Sequence, residues 1–193
     1  MSASADLRAA GIFVRDQFIA PWQVRSLADC AQAREKRGEF AAARIGSDTS
    51  RQHRADIRGD FTCWLREPLY PVERMLLEEF EMLRLELNRE AYLGLFELEL
   101  HYARYPPGSG YARHVDQPRG GTERKVSLAL YLNAGWEPLA GGLLRMFDAQ
   151  DGFRDIEPIA GRLVCFLTEG REHAVLPANR DRWSISGWFR ARD

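Results

Sequence analysis

Apolar and polar positions divide the chain into two textures. In the first, PVERMLLEEFEMLRLELNRE has Met75, Leu76, Phe80, Leu83 and Leu87 at helical spacing, with Glu and Arg filling the other face. That pattern predicts an amphipathic helix packed on a sheet. PWQVRSLADCAQAREKRG predicts a second helix, with Pro21 near its start and Gly38 after its end. GIFVRDQFI before it reads as a short strand running towards Pro21. Residues 41–60, AAARIGSDTSRQHRADIRGD, are polar without a period, which predicts a long loop or a mobile hairpin. After residue 92 the texture is that of strands. LFELELHYARY alternates, and KVSLALYLN, GLLRMF, GRLVCFL, EHAVLP and RWSISGWFR follow between Gly, Pro and Asp. Helices followed by short strands predict a mostly β fold with supporting helices, an antiparallel sandwich or barrel. A doubly wound parallel sheet would alternate the two.

Composition narrows the classes. The chain has 193 residues and a net charge of −1, enough for one domain and too balanced for binding nucleic acid by bulk electrostatics. No stretch is apolar over a membrane-spanning length, and the N-terminus carries Asp6, Arg8, Arg15 and Asp16 where a signal peptide would be apolar. Cys30, Cys63 and Cys165 are far apart and odd in number, with neither zinc spacing nor a disulfide framework. The expectation is a cytoplasmic monomer with cysteines used as small hydrophobes.

The candidate chemistry starts from RHVDQP. His114 and Asp116 stand one residue apart in a chain with four histidines. On an extended segment their side chains point the same way and could share an ion. Alone, the pair reads equally well as a loop hydrogen bond. His173, at the start of HAVLP, offers a third ligand, and two histidines with one carboxylate form a facial triad that leaves positions open on iron(II). Arg182 lies nine residues further on. By strand parity it shares a face with Ser184, Ser186 and Trp188, where a fixed cation beside a small hydroxyl could grip a carboxylate. Open metal positions plus a carboxylate clamp suit a small keto-diacid.

With these residues placed, the chain from Leu100 to Phe189 resembles the catalytic domain of the hypoxia-inducible-factor prolyl hydroxylases and their bacterial relatives. The matching pieces are YPPGSGYARHVDQP, ALYLNAGW, GGLLRMF, DIEPIAGRLVCF and the closing pattern from His173 to Trp188, with DIRGDFTCW upstream. The resemblance implies a double-stranded β-helix, a jelly-roll of cupin type. Residues 1–92 would supply helical support and the finger loop, and 93–193 the jelly-roll core of one domain. It implies iron(II) on His114, Asp116 and His173, with 2-oxoglutarate and dioxygen as cosubstrates and ascorbate as reductant. Arg182 and Tyr131 would hold the distal carboxylate of 2-oxoglutarate, Tyr105 would bond near its chelating end, and Leu144 and Ser186 would wall it. Tyr111, Arg124 and Trp188 would line the substrate side, and Arg58 with Asp60 would organise the finger segment. The implied reaction couples decarboxylation of 2-oxoglutarate to succinate with 4-hydroxylation of a prolyl residue in a protein. Among bacterial and fungal relatives the targets include translation components, and an oxygen-sensing role belongs to the same family. YPPGSGY is one residue shorter between its tyrosines than in the animal enzymes, and the chain ends five residues after Trp188.

Other features read more plainly. His101 shares the parity of Tyr105 and fits either a pocket group or a satisfied barrel histidine. His53 reads as solvated, Arg58-Gly59-Asp60 as no cell-attachment signal, and GGTER and AGGLL as turns, since neither ends as a P-loop does. Two other functions compete: hydroxylation of a free amino acid or other small molecule, and a metal-binding sensor module on the same barrel. The long polar finger favours a protein substrate over the first, and the full triad with Arg182 favours an enzyme over the second.

Overall fold

Pro21 and Pro71 each open a helix at its first turn, where a missing N–H costs nothing. In the computed structural model, which describes residues 3–44, 54, 56–116, 123–148, 150 and 152–192, these are α2 (Pro21–Lys36) and α3 (Pro71–Ala91). A short helix α1 (Ala3–Ala10) precedes them. The strands are β1 (Ile12–Arg15), β2 (Ala41–Ala42), β3 (Phe61–Trp64), β4 (Leu95–Tyr105), β5 (Tyr111–His114) and β6 (Arg124–Tyr131). They continue with β7 (Leu144–Phe147), β8 (Phe153–Ile156), β9 (Leu163–Leu167), β10 (His173–Val175) and β11 (Arg182–Ala191). They form a seven-stranded antiparallel sheet, β1-β9-β6-β11-β4-β3-β2, and a four-stranded one, β5-β10-β7-β8. Tyr131, Val164 and Phe166 of the larger sheet pack with Leu144, Met146 and Ile156 of the smaller. This is the mostly β jelly-roll that the resemblance implies.

The outer face of the larger sheet carries the main core. Leu76, Phe80, Leu83 and Leu87 of α3 are buried there with Leu27 of α2, Leu100, Leu128 and Phe189. Phe80 and Phe189 meet edge-on at 6.3 Å. Trp183, of opposite parity to Arg182, packs against this core as its position predicts. A charge network lies under the helices. Glu73 is fully buried and accepts from Arg34 Nε and Nη2 at 2.9 and 2.8 Å, Tyr102 Oη at 2.9 Å and the Tyr70 amide at 2.8 Å. A buried carboxylate persists only when so fully bonded.

Several details differ from expectation. Helix α1 is absent from the pattern reading, because its eight residues contain one large apolar side chain, Leu7, which nonetheless reaches the main core. The predicted strand towards Pro21 stops at Arg15, where residues 16–19 turn. Met75 is 38% exposed, and Val72 takes its place in the buried stripe. β3, β5 and β8 are four-residue strands with one buried position at most, so alternation left them unmarked. Of the finger, residues 45–53 and 55 lie outside the described residues, His53 among them, as do 117–122 with their glycine pair. The two ends of the finger are joined, Ala41 facing Thr62 and Ala42 facing Phe61. AGGLL is a turn into β7, with Gly141 and Gly142 both at positive φ.

Candidate metal and cosubstrate site

Antiparallel pairing of β5 and β10 sets His114 directly across from His173. Asp116 follows β5 by two residues. One ligand atom from each of the three lies within 4.8 Å of the others. Asp116 Oδ1 stands 3.6 Å from His114 Nε2 and 3.7 Å from His173 Nε2. Each remaining atom is held by another group. Ser127 Oγ on β6 donates to Asp116 Oδ2 at 2.6 Å, so Oδ1 is the oxygen that turns to the histidines. His114 Nδ1 lies 2.7 Å from the Ala112 carbonyl and His173 Nδ1 3.3 Å from the Arg171 carbonyl. A carbonyl only accepts, so each Nδ1 is the donor there, and each Nε2 is the nitrogen turned towards Asp116. Burial pushes His173 down, against the opposite pull of Asp116. Burial opposes the charge on Asp116, but His173, His114 and the Ser127 hydroxyl outweigh it and hold the carboxyl far below its usual range. Two imidazoles and one carboxylate converging in one pocket are a fitting donor set for iron(II) with open positions.

The pocket over these atoms runs between the sheets and reaches Arg182. Arg182 is buried, and its Nε donates to the Gly142 carbonyl at 2.8 Å. Its guanidinium carbon lies 5.3 Å from the Tyr105 ring and 4.9 Å from the Tyr131 ring. Gly142 makes this packing possible: a Cβ there would stand 3.0 Å from Ala178 and Trp136 and 3.3 Å from Arg182 Cδ, at φ +66°. Among the described residues no carboxylate pairs with Arg182. A buried cation without an anion calls for one from outside the chain. The Tyr131 hydroxyl is enclosed without a hydrogen-bond partner and lines the same pocket. Leu144 and Ser186 line it too, and Ser186 Oγ lies 3.1 Å from Ser184 Oγ.

Of the other predicted residues, Arg58, Asp60, Tyr111 and Trp188 line the same pocket. Arg58 donates to both oxygens of Asp60, at 2.7 and 3.0 Å, with the carboxylate buried. This ties the end of the finger to the pocket wall, where the Arg58 guanidinium lies 4.8 Å from the Tyr111 ring. Tyr111 stacks on His114 with centroids 3.4 Å apart. Trp188 lines the pocket, while Arg124 stays at the rim, 3.6 Å over the Trp188 ring. Arg124 also reaches the Asp116 carbonyl at 3.3 Å and Glu99 at 3.4 Å. Sequence reasoning missed two contributors. Ser127 was not singled out, yet it orients the Asp116 carboxylate. Trp64 lay in DIRGDFTCW without a role, yet it pairs with His101 across β3 and β4 and is 40% exposed.

Comparison with known proteins agrees with this geometry. Residues 100–190 match the family model of the 2OG-Fe(II) oxygenase superfamily. The chain is 40% identical to a Pseudomonas putida prolyl-4-hydroxylase, with a TM-score of 0.90 over 99% of this chain and 98% of that one. It is 33% identical over 189 residues to Egl nine homolog 1 of Homo sapiens, which covers 93% of this chain and 43% of that protein. The chain thus spans less than half of that longer relative. A Trichoplax adhaerens prolyl hydroxylase, in complex with a hypoxia inducible factor peptide fragment, shares the fold at a TM-score of 0.88 and 24% identity. The chain belongs to the 2OG-Fe(II) oxygenase superfamily, whose chemistry uses iron(II), 2-oxoglutarate and dioxygen.

Proposed function

We propose that this chain is a 2-oxoglutarate- and iron(II)-dependent prolyl 4-hydroxylase acting on a prolyl residue within a protein. The observation that carries the reading is one pocket lined both by the converging ligand atoms of His114, Asp116 and His173 and by Arg182, with which no carboxylate among the described residues pairs. The 40% identity to a prolyl-4-hydroxylase over nearly all of both chains supports the choice of reaction. When bound, iron(II) with 2-oxoglutarate and dioxygen supplies the oxidative decarboxylation and the oxygen insertion at an unactivated carbon.

The chain's residues supply placement. His114, Asp116 and His173 would hold the iron, oriented by the Ala112 and Arg171 carbonyls and by Ser127. Arg182 and Tyr131 would bind the distal carboxylate, the guanidinium as a fixed charge and the phenol as a donor. Tyr105 would bond towards the chelating end, and Leu144 and Ser186 would bound the cosubstrate. Tyr111, Trp188 and the rim residue Arg124 would receive the target residue, with Arg58 and Asp60 fixing the finger beside it. No side chain need move a proton. The whole chain would act as one catalytic domain.

Ascorbate as reductant, a cytoplasmic monomer, a translation component as target and a role in oxygen sensing extend this proposal. No helix among the described residues is long and apolar enough to cross a membrane.

The test is succinate formation with iron(II), ascorbate and 2-oxoglutarate, with and without proline-containing peptides or cell lysate. A mass increase of one oxygen on a mapped proline is the expected result. No succinate and no retained iron would overturn the reading, and stimulation by free proline alone would replace it with a small-molecule hydroxylase.

A further inference from the structure

His101 lines the pocket beside Trp188 and has no part in the scheme above. It is 3% exposed, lines the pocket, and faces Trp64 of β3 on one side and Ser186 of β11 on the other. Its ring centroid is 4.9 Å from that of Trp64 and 5.6 Å from that of Trp188. The two indoles are themselves 6.4 Å apart and inclined by 38°. Three flat rings therefore converge, and Arg124 closes the series over Trp188.

A buried histidine in a barrel is ordinarily held by hydrogen bonds to its ring nitrogens. Here Nδ1 is enclosed and has no partner, and neither has Trp188 Nε1. Burial pushes the imidazole down to about 4, with Arg58 adding to the effect, so the ring is neutral near pH 7. What holds His101 is packing against the two indoles, inclined to it by 49° and 32°, and what it offers them is a plane of small size.

We propose that His101 is a positioning residue for substrate: its ring spaces Trp64 and Trp188 so that the two indoles cradle the five-membered ring of the target residue. The inference rests on the prolyl reading of the site. It departs from a structural role in one respect. Among the described residues none of the three rings hydrogen-bonds to Arg182 or to a ligand of the triad, so losing the cradle weakens substrate binding and leaves cosubstrate use intact. Because the ring acts by shape, phenylalanine replaces it and aliphatic residues do not.

The probe is a pool of 15-residue peptides, each with a single central proline and otherwise randomised. Succinate is measured with and without the pool, at sub-saturating peptide, for wild type, His101→Ala and His101→Phe. Binding of the pool is measured separately, without turnover, as retention on immobilised protein under anaerobic conditions with manganese(II) and 2-oxoglutarate. The expected result is a tenfold or greater loss of peptide-stimulated succinate and of retention in His101→Ala. Peptide-independent succinate and the KM for 2-oxoglutarate stay within twofold, and His101→Phe recovers at least a third of the wild-type response. Unchanged peptide response in His101→Ala, an equal fall in peptide-independent succinate, or a phenylalanine variant as poor as alanine would each overturn the proposal. A wild type that neither retains nor responds to the pool overturns the prolyl reading, and this inference with it.

Discussion

Arg182 offers the sharpest separation between holding the metal and holding the cosubstrate. Its side chain is buried, spends Nε on the Gly142 carbonyl, and lines the pocket with no carboxylate partner among the described residues. The remaining N–H groups can give a carboxylate two charge-assisted hydrogen bonds. At roughly 1.5–3 kcal/mol each, these contribute about 3–6 kcal/mol. Loss of both in Arg182→Ala should therefore raise the 2-oxoglutarate requirement by about 10²–10⁴-fold, at 1.4 kcal/mol per factor of ten. Arg182→Lys keeps the charge but loses the fork and the bond to Gly142, so it should fall between wild type and alanine. The assay is the KM for 2-oxoglutarate from succinate formation, paired with a direct titration of iron(II) or cobalt(II) into the protein without cosubstrate. Metal affinity should change little, because no Arg182 atom bonds to a triad residue. An unchanged 2-oxoglutarate requirement, or a loss of metal affinity as large as the loss of cosubstrate affinity, would refute the reasoning.

His114→Ala removes one of the three ligands and should abolish turnover and metal retention together, read by succinate formation and by metal content after gel filtration. Ser127→Ala frees the carboxylate that Ser127 now orients and should lower metal affinity about 10–100-fold, by analogy with other outer partners of metal ligands, with the fold intact by circular dichroism. Arg34→Met strands the buried Glu73 carboxylate and should cost about 3–5 kcal/mol in chemical denaturation. Arg34→Met with Glu73→Leu should be less damaging than Arg34→Met alone, and a double variant at least as unstable would contradict that account of the pair.

The sequence carried the fold through its longest patterns. α3 and β4 are long enough for periodicity to show, and β11 declares its two faces by strict alternation from Arg182 to Trp188. Short strands were silent, since four residues with one buried position look like loop. The same limit hid half of the site. His114 and His173 could be named as candidates from residue type, but their direct opposition depends on β5 pairing with β10, a register no local pattern encodes. Ser127 could not be told from any other strand serine until Asp116 was folded against it. Glu73 was read as one of the polar residues of an exposed face, because the Arg34, Tyr70 and Tyr102 groups that bond it come from three separate segments. Trp64 and His101 met the same obstacle across β3 and β4.

The origin of the three ligands has a mechanical consequence. His114 and His173 belong to the small four-stranded sheet, while the Asp116 carboxylate is tied through Ser127 to the large one. An ion bound by all three is a clasp between two layers that otherwise meet through two small apolar clusters and the bond from Arg182 to Gly142. The large sheet is secured by α3 and its core whether or not metal is present, whereas the small sheet gains its firmest tether only on loading. Metal uptake then stiffens the thinner half of the barrel, by about 2.7 kcal/mol when free metal stands at 100 times Kd. Starvation for iron would loosen that half and leave it the first target of proteolysis, so the abundance of the protein would follow the supply of its metal.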